Sequence, residues 1–321
     1  MVNVIIPTYK ARDTLPQALD SLVTQTKKFF ITTIVQDCDG EDYTDIVEEY
    51  RKRGLQLHLI QTPENGGPGN ARQFGMDHDH MCDYFMFLDA DDMYFPRAIE
   101  ILYREAKLKD ADIICSNFIA ERAHEPGLYM DASNIPVTWT HGKIYKADFL
   151  RKNNIRFLPN LRLNEDSYFN LVAVNSTKKR FNVPETTYLW RDNMNSLTRQ
   201  KEVAFFNRGW MQYVYSQVQG LKDIVRINGE ISPPLVAATL NNIYMHIMEA
   251  IYMNYSTDEA KQLCLTLNTE PIIMKIIEGA DFWKTLHQIL KATILKDNNL
   301  IFCKMRFCDW LNEFVLDKEQ F

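Results

Sequence analysis

Tyr84-Phe85-Met86-Phe87-Leu88-Asp89-Ala90-Asp91-Asp92-Met93 is the stretch on which the reading of this 321-residue chain turns. Five apolar residues run without a break and then stop at three carboxylates. A short, nearly uninterrupted apolar run suits a strand buried on both faces. Such strands belong to mainly parallel sheets, which bind ligands outside their carboxyl ends. Three acids in four residues repel one another, and a divalent cation relieves the repulsion. Mg2+ sites commonly combine one or two carboxylates with substrate phosphates. In a locally extended chain Asp89 and Asp91 point the same way. The stretch therefore predicts a metal-assisted enzyme acting on a phosphorylated donor. A solvated turn that caps a helix is the plainer reading of the same residues.

Toward the N-terminus the pattern of an apolar run followed by polar residues recurs. Val2 to Ile6 reads as the first strand, stopped by Pro7. Thr8 and Tyr9 follow it, either as ordinary loop polarity or as a nucleotide-contacting loop. Asp13 or Thr14 caps a helix that tolerates Pro16 in its first turn and puts Leu15, Leu19 and Leu22 on one face. Phe30 to Val35 is the second strand, and it ends in Asp37-Cys38-Asp39-Gly40-Glu41-Asp42. One of these acids can accept hydrogen bonds from a base or a ribose. Leu57 to Ile60 is the third strand. Glu64-Asn65-Gly66-Gly67-Pro68-Gly69-Asn70-Ala71-Arg72-Gln73 then turns into a helix. Its small residues let a diphosphate or a sugar approach the backbone. Arg72 offers a fork to phosphate or carboxylate, or closes a structural salt bridge. Neither the dinucleotide fingerprint nor the ATPase loop fits this segment. Asp77-His78-Asp79-His80 contains ligand types but reads as a solvated helix end.

Beyond the acidic stretch, Pro96 suits a helix start, and Asp112 to Ser116 is another short strand. Alternating strands and helices predict an α/β layer fold with a mainly parallel sheet. Glu121 to Pro136 reads as an excursion over the sheet edge. Trp139-Thr140-His141-Gly142-Lys143-Ile144-Tyr145 gathers aromatic, polar and basic groups that suit a sugar or phosphate, or a packed sheet edge. Asn164-Glu165-Asp166 precedes a helix. Acids there favour the positive helix end, or one of them serves as a general base. Phe181 to Trp190 is extended, and Arg191 opens a polar loop to Arg199 that can fold over phosphates. From Gln200 the spacing becomes helical. The chain divides into 1–199 and a mainly helical 200–321, which serves acceptor binding, docking or assembly as a homo-oligomer.

The bulk numbers narrow the class. A hydrophobic content of 46% supports a sizeable core, and a net charge of -6 gives no electrostatic case for nucleic acid. Six cysteines without a C-x-x-C pair point to a reducing cytoplasm. Met1 to Pro7 lacks the features of a signal peptide, and no apolar run is long enough to span a membrane. Peripheral attachment at the inner face of the membrane stays open.

In its first 199 residues the chain resembles family 2 glycosyltransferases with the GT-A fold. Five pieces occur in that family's order: Val4-Ile5-Ile6-Pro7-Thr8-Tyr9, Val35-Gln36-Asp37-Cys38-Asp39-Gly40, Asn65-Gly66-Gly67 with Ala71-Arg72, Asp89-Ala90-Asp91-Asp92, and Glu165-Asp166. The resemblance implies inverting transfer from a nucleotide-sugar, typically a UDP-sugar, with Mn2+ or Mg2+. The acceptor is then a hydroxyl of a glycan, glycolipid or cell-surface polymer. By resemblance Asp37 meets the base, with Asp39 beside it, and Thr8 and Tyr9 line the nucleotide site. Arg72 lies near the diphosphate or the acidic loop. Asp91 contacts the metal, with Asp89 nearer the ribose or donor sugar. Asp166 is the base, and Lys143 and Arg191 contact phosphate or donor. Tyr188-Leu189-Trp190-Arg191 stands where processive synthases show Gln-x-x-Arg-Trp, so a processive synthase is not expected. A sugar-phosphate nucleotidyltransferase and a catalytically silent glycan-binding module are the competing readings.

Overall fold

Val2–Thr8 forms β1, the centre of a parallel block. It pairs with β2 (Ile31–Gln36) on one side and with β4 (Tyr84–Phe87) on the other, and β3 (Leu57–Gln61) extends the block beyond β2. Every residue of β4 is buried, as are Val2, Val4, Ile5 and Ile6 of β1. A central strand covered on both faces selects that run of apolar residues. The helices α1 (Leu15–Val23), α2 (Thr44–Lys52) and α3 (Pro68–Asp77) connect these strands. Their inner faces carry Leu15, Leu19 and Leu22 in α1 and Ile46, Val47 and Tyr50 in α2, all buried. Thr14 is the residue before α1, but its hydroxyl donates to the Ala11 carbonyl instead of accepting from the first turn.

The computed structural model describes residues 1–79, 81–121, 127–132, 138–159, 161–193, 202–296 and 305–317. Past β4 the sheet becomes mixed. β5 (Met93–Tyr94) follows the acidic turn, and α4 (Ala98–Leu108) leads to β6 (Ile113–Glu121), which is longer than the sequence pattern implies. β7 (Tyr129–Ala132) pairs antiparallel with β6, so the expected excursion contains an edge strand. β8 (Lys143–Lys146) runs antiparallel to both β4 and β6. After α5 (Ala147–Lys152) and α6 (Glu165–Asn175), β9 (Arg180–Trp190) lies parallel to β6 and antiparallel to β5. The strand order is β3-β2-β1-β4-β8-β6-β9-β5. The antiparallel insertion of β8 brings His141 beside the end of β4. The β5–β9 pairing sets Tyr94 opposite Tyr188 and carries the end of β9 to the same place.

The chain separates into two compact units, Met1–Gln200 and Lys201–Phe321. In the second, the described elements are helical: α7 (Glu202–Asn228), α8 (Pro233–Tyr252), α9 (Asp258–Leu265), α10 (Pro271–Glu278), α11 (Ala280–Lys296) and α12 (Phe307–Phe314). Pro233 and Pro234 open α8, where the Ser232 hydroxyl accepts from the Leu235 N–H. Proline is tolerated there because first-turn amides have no intrahelical acceptor. Val214, Leu221, Leu240, Ile243 and Trp310 are buried in this unit. No helix among the described residues is long and apolar enough to cross a membrane.

Candidate active site

The carboxyl ends of β1 and β2 form one side of the site. Asp37 follows β2 and is 2% exposed. Its carboxylate accepts from the Thr62 hydroxyl and the Gly66 N–H on one oxygen and from the Gly67 N–H on the other, at 2.7–3.1 Å. Asn65 Nδ2 donates to the Asp37 carbonyl. Asp37 therefore holds the Asn65-Gly66-Gly67 turn in place. Gly67 is needed there because its φ is +86°, and an added Cβ would also meet Arg162 at 3.3 Å. Thr8 is buried too, with its hydroxyl donating to the Val35 carbonyl at 3.1 Å. Tyr9 differs, since it is 52% exposed. Asp39 accepts from the Lys10 N–H, Gln36, the Glu41 N–H and the Tyr43 hydroxyl. Burial pushes its carboxyl up, but these hydrogen bonds outweigh it and hold it below the ordinary range.

At the end of β4 the chain bends instead of staying extended, with the Asp92 N–H donating to the Asp89 carbonyl at 3.0 Å. Alternation is lost in such a turn, so the acids do not sort as an extended chain would place them. Asp89, Asp92 and His141 bring donor atoms within 4.8 Å of one another. His141 Nε2 is 3.8 Å from Asp89 Oδ2 and 4.0 Å from Asp92 Oδ2. Asp91, the ligand expected from sequence, lies outside this group, and its Oδ2 accepts from Asn193 Nδ2 at 2.8 Å. The group fits a divalent cation. Carboxylate and imidazole are both ligand types for divalent metals, and the two His141 distances of 3.8 and 4.0 Å fall within the about 4.2 Å that separates opposite ligands roughly 2.1 Å from one ion. Burial, then neighbouring acids, push the Asp91 and Asp92 carboxyls above the ordinary range.

Arg72 of α3 reaches this centre. It donates to Asp89 Oδ1 at 2.5 Å and to Glu165 Oε1 at 2.8 Å. Burial opposes its charge, but Asp89 and Glu165 more than offset that and raise its pKa. Glu165 and Asp166 open α6 in its first turn. Glu165 is buried against Arg72, while Asp166 is partly exposed and accepts from the Ser167 N–H. Burial pushes the Asp166 carboxyl up, while Arg72 and then His141 pull it down. Asp166 thus lies within electrostatic reach of both the arginine and the acidic centre.

Lys143 opens β8. It is 0% exposed, and its ammonium donates to the Trp139 and His141 carbonyls. Burial pulls its pKa down to about 8. Lys143 braces the segment that carries His141. The Arg191 N–H donates to Asp92 Oδ1 at 2.8 Å, which places that residue at the centre through its backbone. Residues 194–199 of the polar loop lie outside the described residues. Sequence reasoning did not single out His141 or Tyr188 as functional. Their signal was the mixed Trp139–Tyr145 segment and the strand ending at Trp190. Asp79, near the expected helix end, accepts from Asn3 and from the Met81 and Cys82 N–H groups. A cavity of about 240 Å³ lies elsewhere, lined by Met76, Phe85, Leu150 and Ile155 with Asp77 and Arg156. Asp77 and Arg156 pair with each other at 2.6 Å, and no acid of the site lines that cavity.

Residues 3–161 match the family described as Glycosyl transferase family 2. The chain is 25% identical over 245 residues to the glycosyltransferase EpsJ of Bacillus subtilis, covering 64% of this chain and 70% of EpsJ. It is 28% identical over 191 residues to a poly(ribitol-phosphate) beta-glucosyltransferase of Bacillus spizizenii, covering 56% of this chain but 30% of that longer protein. Staphylococcus aureus TarS 1-349, solved in complex with UDP, aligns with a TM-score of 0.64 at 17% identity. That alignment covers 93% of this chain and 92% of the TarS chain, and it is a likeness of fold.

Proposed function

The chain belongs to Glycosyl transferase family 2 and has the GT-A fold, and from that premise we propose an inverting, cation-dependent transfer from a UDP-sugar to an acceptor hydroxyl. The acceptor class is a glycan, glycolipid or cell-surface polymer. One observation carries this reading: Arg72 ties the Asp89–Asp92–His141 centre to the start of α6, where Asp166 stands. UDP as the carrier is supported by the nucleotide in the TarS complex, and a polymer acceptor by the name of the Bacillus spizizenii relative. In this proposal Met1–Gln200 is the catalytic unit, and Lys201–Phe321 serves acceptor binding or assembly.

Each residue has a definable part in a single displacement. Asp89, Asp92 and His141 would hold Mn2+ or Mg2+, whose chemistry is Lewis-acid stabilisation of the leaving diphosphate. Asp91 adds negative charge to that centre. Arg72 fixes the orientation of Asp89 and Glu165 by binding both. The exposed Tyr9 ring offers a face to the base, and Asp39 orders the adjoining Lys10 backbone. Asp166 accepts the acceptor proton as the hydroxyl oxygen attacks the anomeric carbon and the bond to the diphosphate oxygen breaks. One such displacement inverts the anomeric centre.

The test is turnover of UDP-sugars with a panel of glycan and polyol-phosphate acceptors. UDP release and the anomer of the product are followed with and without Mn2+. An inverted product with cation-dependent UDP release is expected. Pyrophosphate release would indicate a nucleotidyltransferase. Failure of every donor to turn over would indicate a silent binding module.

A further inference from the structure

Tyr188 touches all three residues whose donor atoms converge at the acidic centre. Its hydroxyl donates to Asp92 Oδ2 at 2.6 Å and accepts from the Asp89 backbone N–H at 3.3 Å. Its ring stacks on the His141 imidazole, with centroids 4.6 Å apart and planes at 11°. The side chain is 0% exposed, so it is out of reach of any substrate. Its own place is fixed from behind. The strand register puts it opposite Tyr94, whose ring meets it edge-on at 5.4 Å. The other Asp92 oxygen is held by the Arg191 N–H, three residues further along the chain. One end of β9 therefore orients both oxygens of Asp92, the backbone of Asp89 and the plane of His141.

We infer that Tyr188 is a positioning residue for a divalent cation, acting through the three donors it touches. The inference rests on the cation-dependent reading above. A metal-ligating group needs its remaining polar atoms and its ring plane held, or the ligand set pays for ordering when the ion binds. Partners in this outer layer are typically worth about 10- to 100-fold in metal affinity. Without the phenol oxygen, Asp92 Oδ2 loses a 2.6 Å donor in a buried site, and the Asp89 N–H loses its acceptor. The imidazole keeps a stacking surface in a phenylalanine variant and loses it in a leucine variant. The two variants therefore separate the hydrogen bonds from the stack.

Mn2+ alone, without donor or acceptor, is titrated into the full chain, and free Mn2+ is read from its electron paramagnetic resonance signal. Tyr188→Phe should weaken binding by about 10- to 100-fold, and Tyr188→Leu by more. Tyr94→Phe is the control. It removes an equally buried hydroxyl, one that donates to the Phe87 carbonyl at 2.8 Å and touches none of the three donors. It should keep the wild-type affinity. Circular dichroism and thermal unfolding establish that each variant is folded. A merely structural role for Tyr188 would lower thermal stability alike in Tyr188→Phe and Tyr94→Phe and leave Mn2+ affinity unchanged. Wild-type affinity in either folded Tyr188 variant overturns the inference while leaving the cation reading intact. A wild-type chain that binds no Mn2+ overturns the cation reading, and this inference with it.

Discussion

Glu165 and Asp166 are adjacent in sequence but hold opposite electrostatic positions. Glu165 is buried in an ion pair with Arg72, whereas Asp166 is partly exposed and has no such partner among the described residues. Asp166→Asn should lower turnover by about 100- to 10,000-fold, the usual worth of a positioned general base, with UDP-sugar binding retained. Steady-state rates beside calorimetric donor binding check this, and near-normal turnover would remove the assignment. Glu165→Gln should lower thermal stability first, because it weakens the Arg72 pair. Arg72→Met leaves Asp89 and Glu165 without their buried counter-charge. Breaking such a pair costs about 3–5 kcal/mol, which urea unfolding would register. Arg72→Lys should not restore it, since an ammonium cannot span two carboxylates in fork geometry. At this scale the sequence marked the acids but not their partners. Asp37 and Lys143 were singled out by the family resemblance and by their places next to strands, which say nothing of how deeply they are buried. Their burial depends on Gly66, Gly67, Trp139 and His141, which only the folded chain brings to them.

At the scale of elements, α3 is the link between the two halves of the site. Its first turn packs on α6 so closely that a Cβ at Gly69 would stand 2.8 Å from Cβ and Cγ of Glu165. Further along, a Cβ at Gly75 would meet Ile5 at 2.8 Å and Val35 at 3.0 Å. Overpacking of this kind typically costs about 1–3 kcal/mol. Gly69→Ala should reduce turnover more than Gly75→Ala at equal loss of stability, because it displaces the acidic pair and not the sheet contact. Paired rate and denaturation measurements on the two variants decide it, and equal losses of turnover would refute it. The parallel strands β1 to β4 were legible because short, mainly apolar or β-branched runs ended in turn-forming or acidic residues. β8 and β9 carry His141 and Tyr188 to the acids through antiparallel pairings, with β8 against β4 and β9 against β5. Such register is set by long-range pairing and leaves little local pattern to read.

At the scale of the molecule, the two compact units predict separable properties. A chain ending at Gln200 should keep Mn2+ binding, and loss of acceptor use in that chain would assign acceptor recognition to Lys201–Phe321. Unimpaired acceptor use by residues 1–200 would instead assign the second unit to assembly or docking. Stability against acid has a local contributor at Asp110, which joins Lys146 to Lys179 across separate segments. Lys179, then Lys146, hold its carboxyl down at about 2 against an ordinary 3.8. A depressed acid adds stability that is fully present above about pH 3.8 and is lost as pH falls through about 2. The pair is exposed, so the gain is small and falls with salt. Asp110→Asn should melt slightly below wild type at pH 6 in low salt, and the two should converge near pH 2. A gap that persists at pH 2 would point to packing instead of charge.

The clamp of Asp37 on the Gly66 and Gly67 amides gives an irregular turn a property usually reserved for sheet interiors. Both N–H groups end on a buried carboxylate. Exchange with deuterated solvent therefore requires the clamp to open and not merely the loop to fluctuate. A peptide spanning residues 62 to 70 should take up deuterium as slowly as neighbouring strands, and Asp37→Ala should make it exchange at the pace of a free loop.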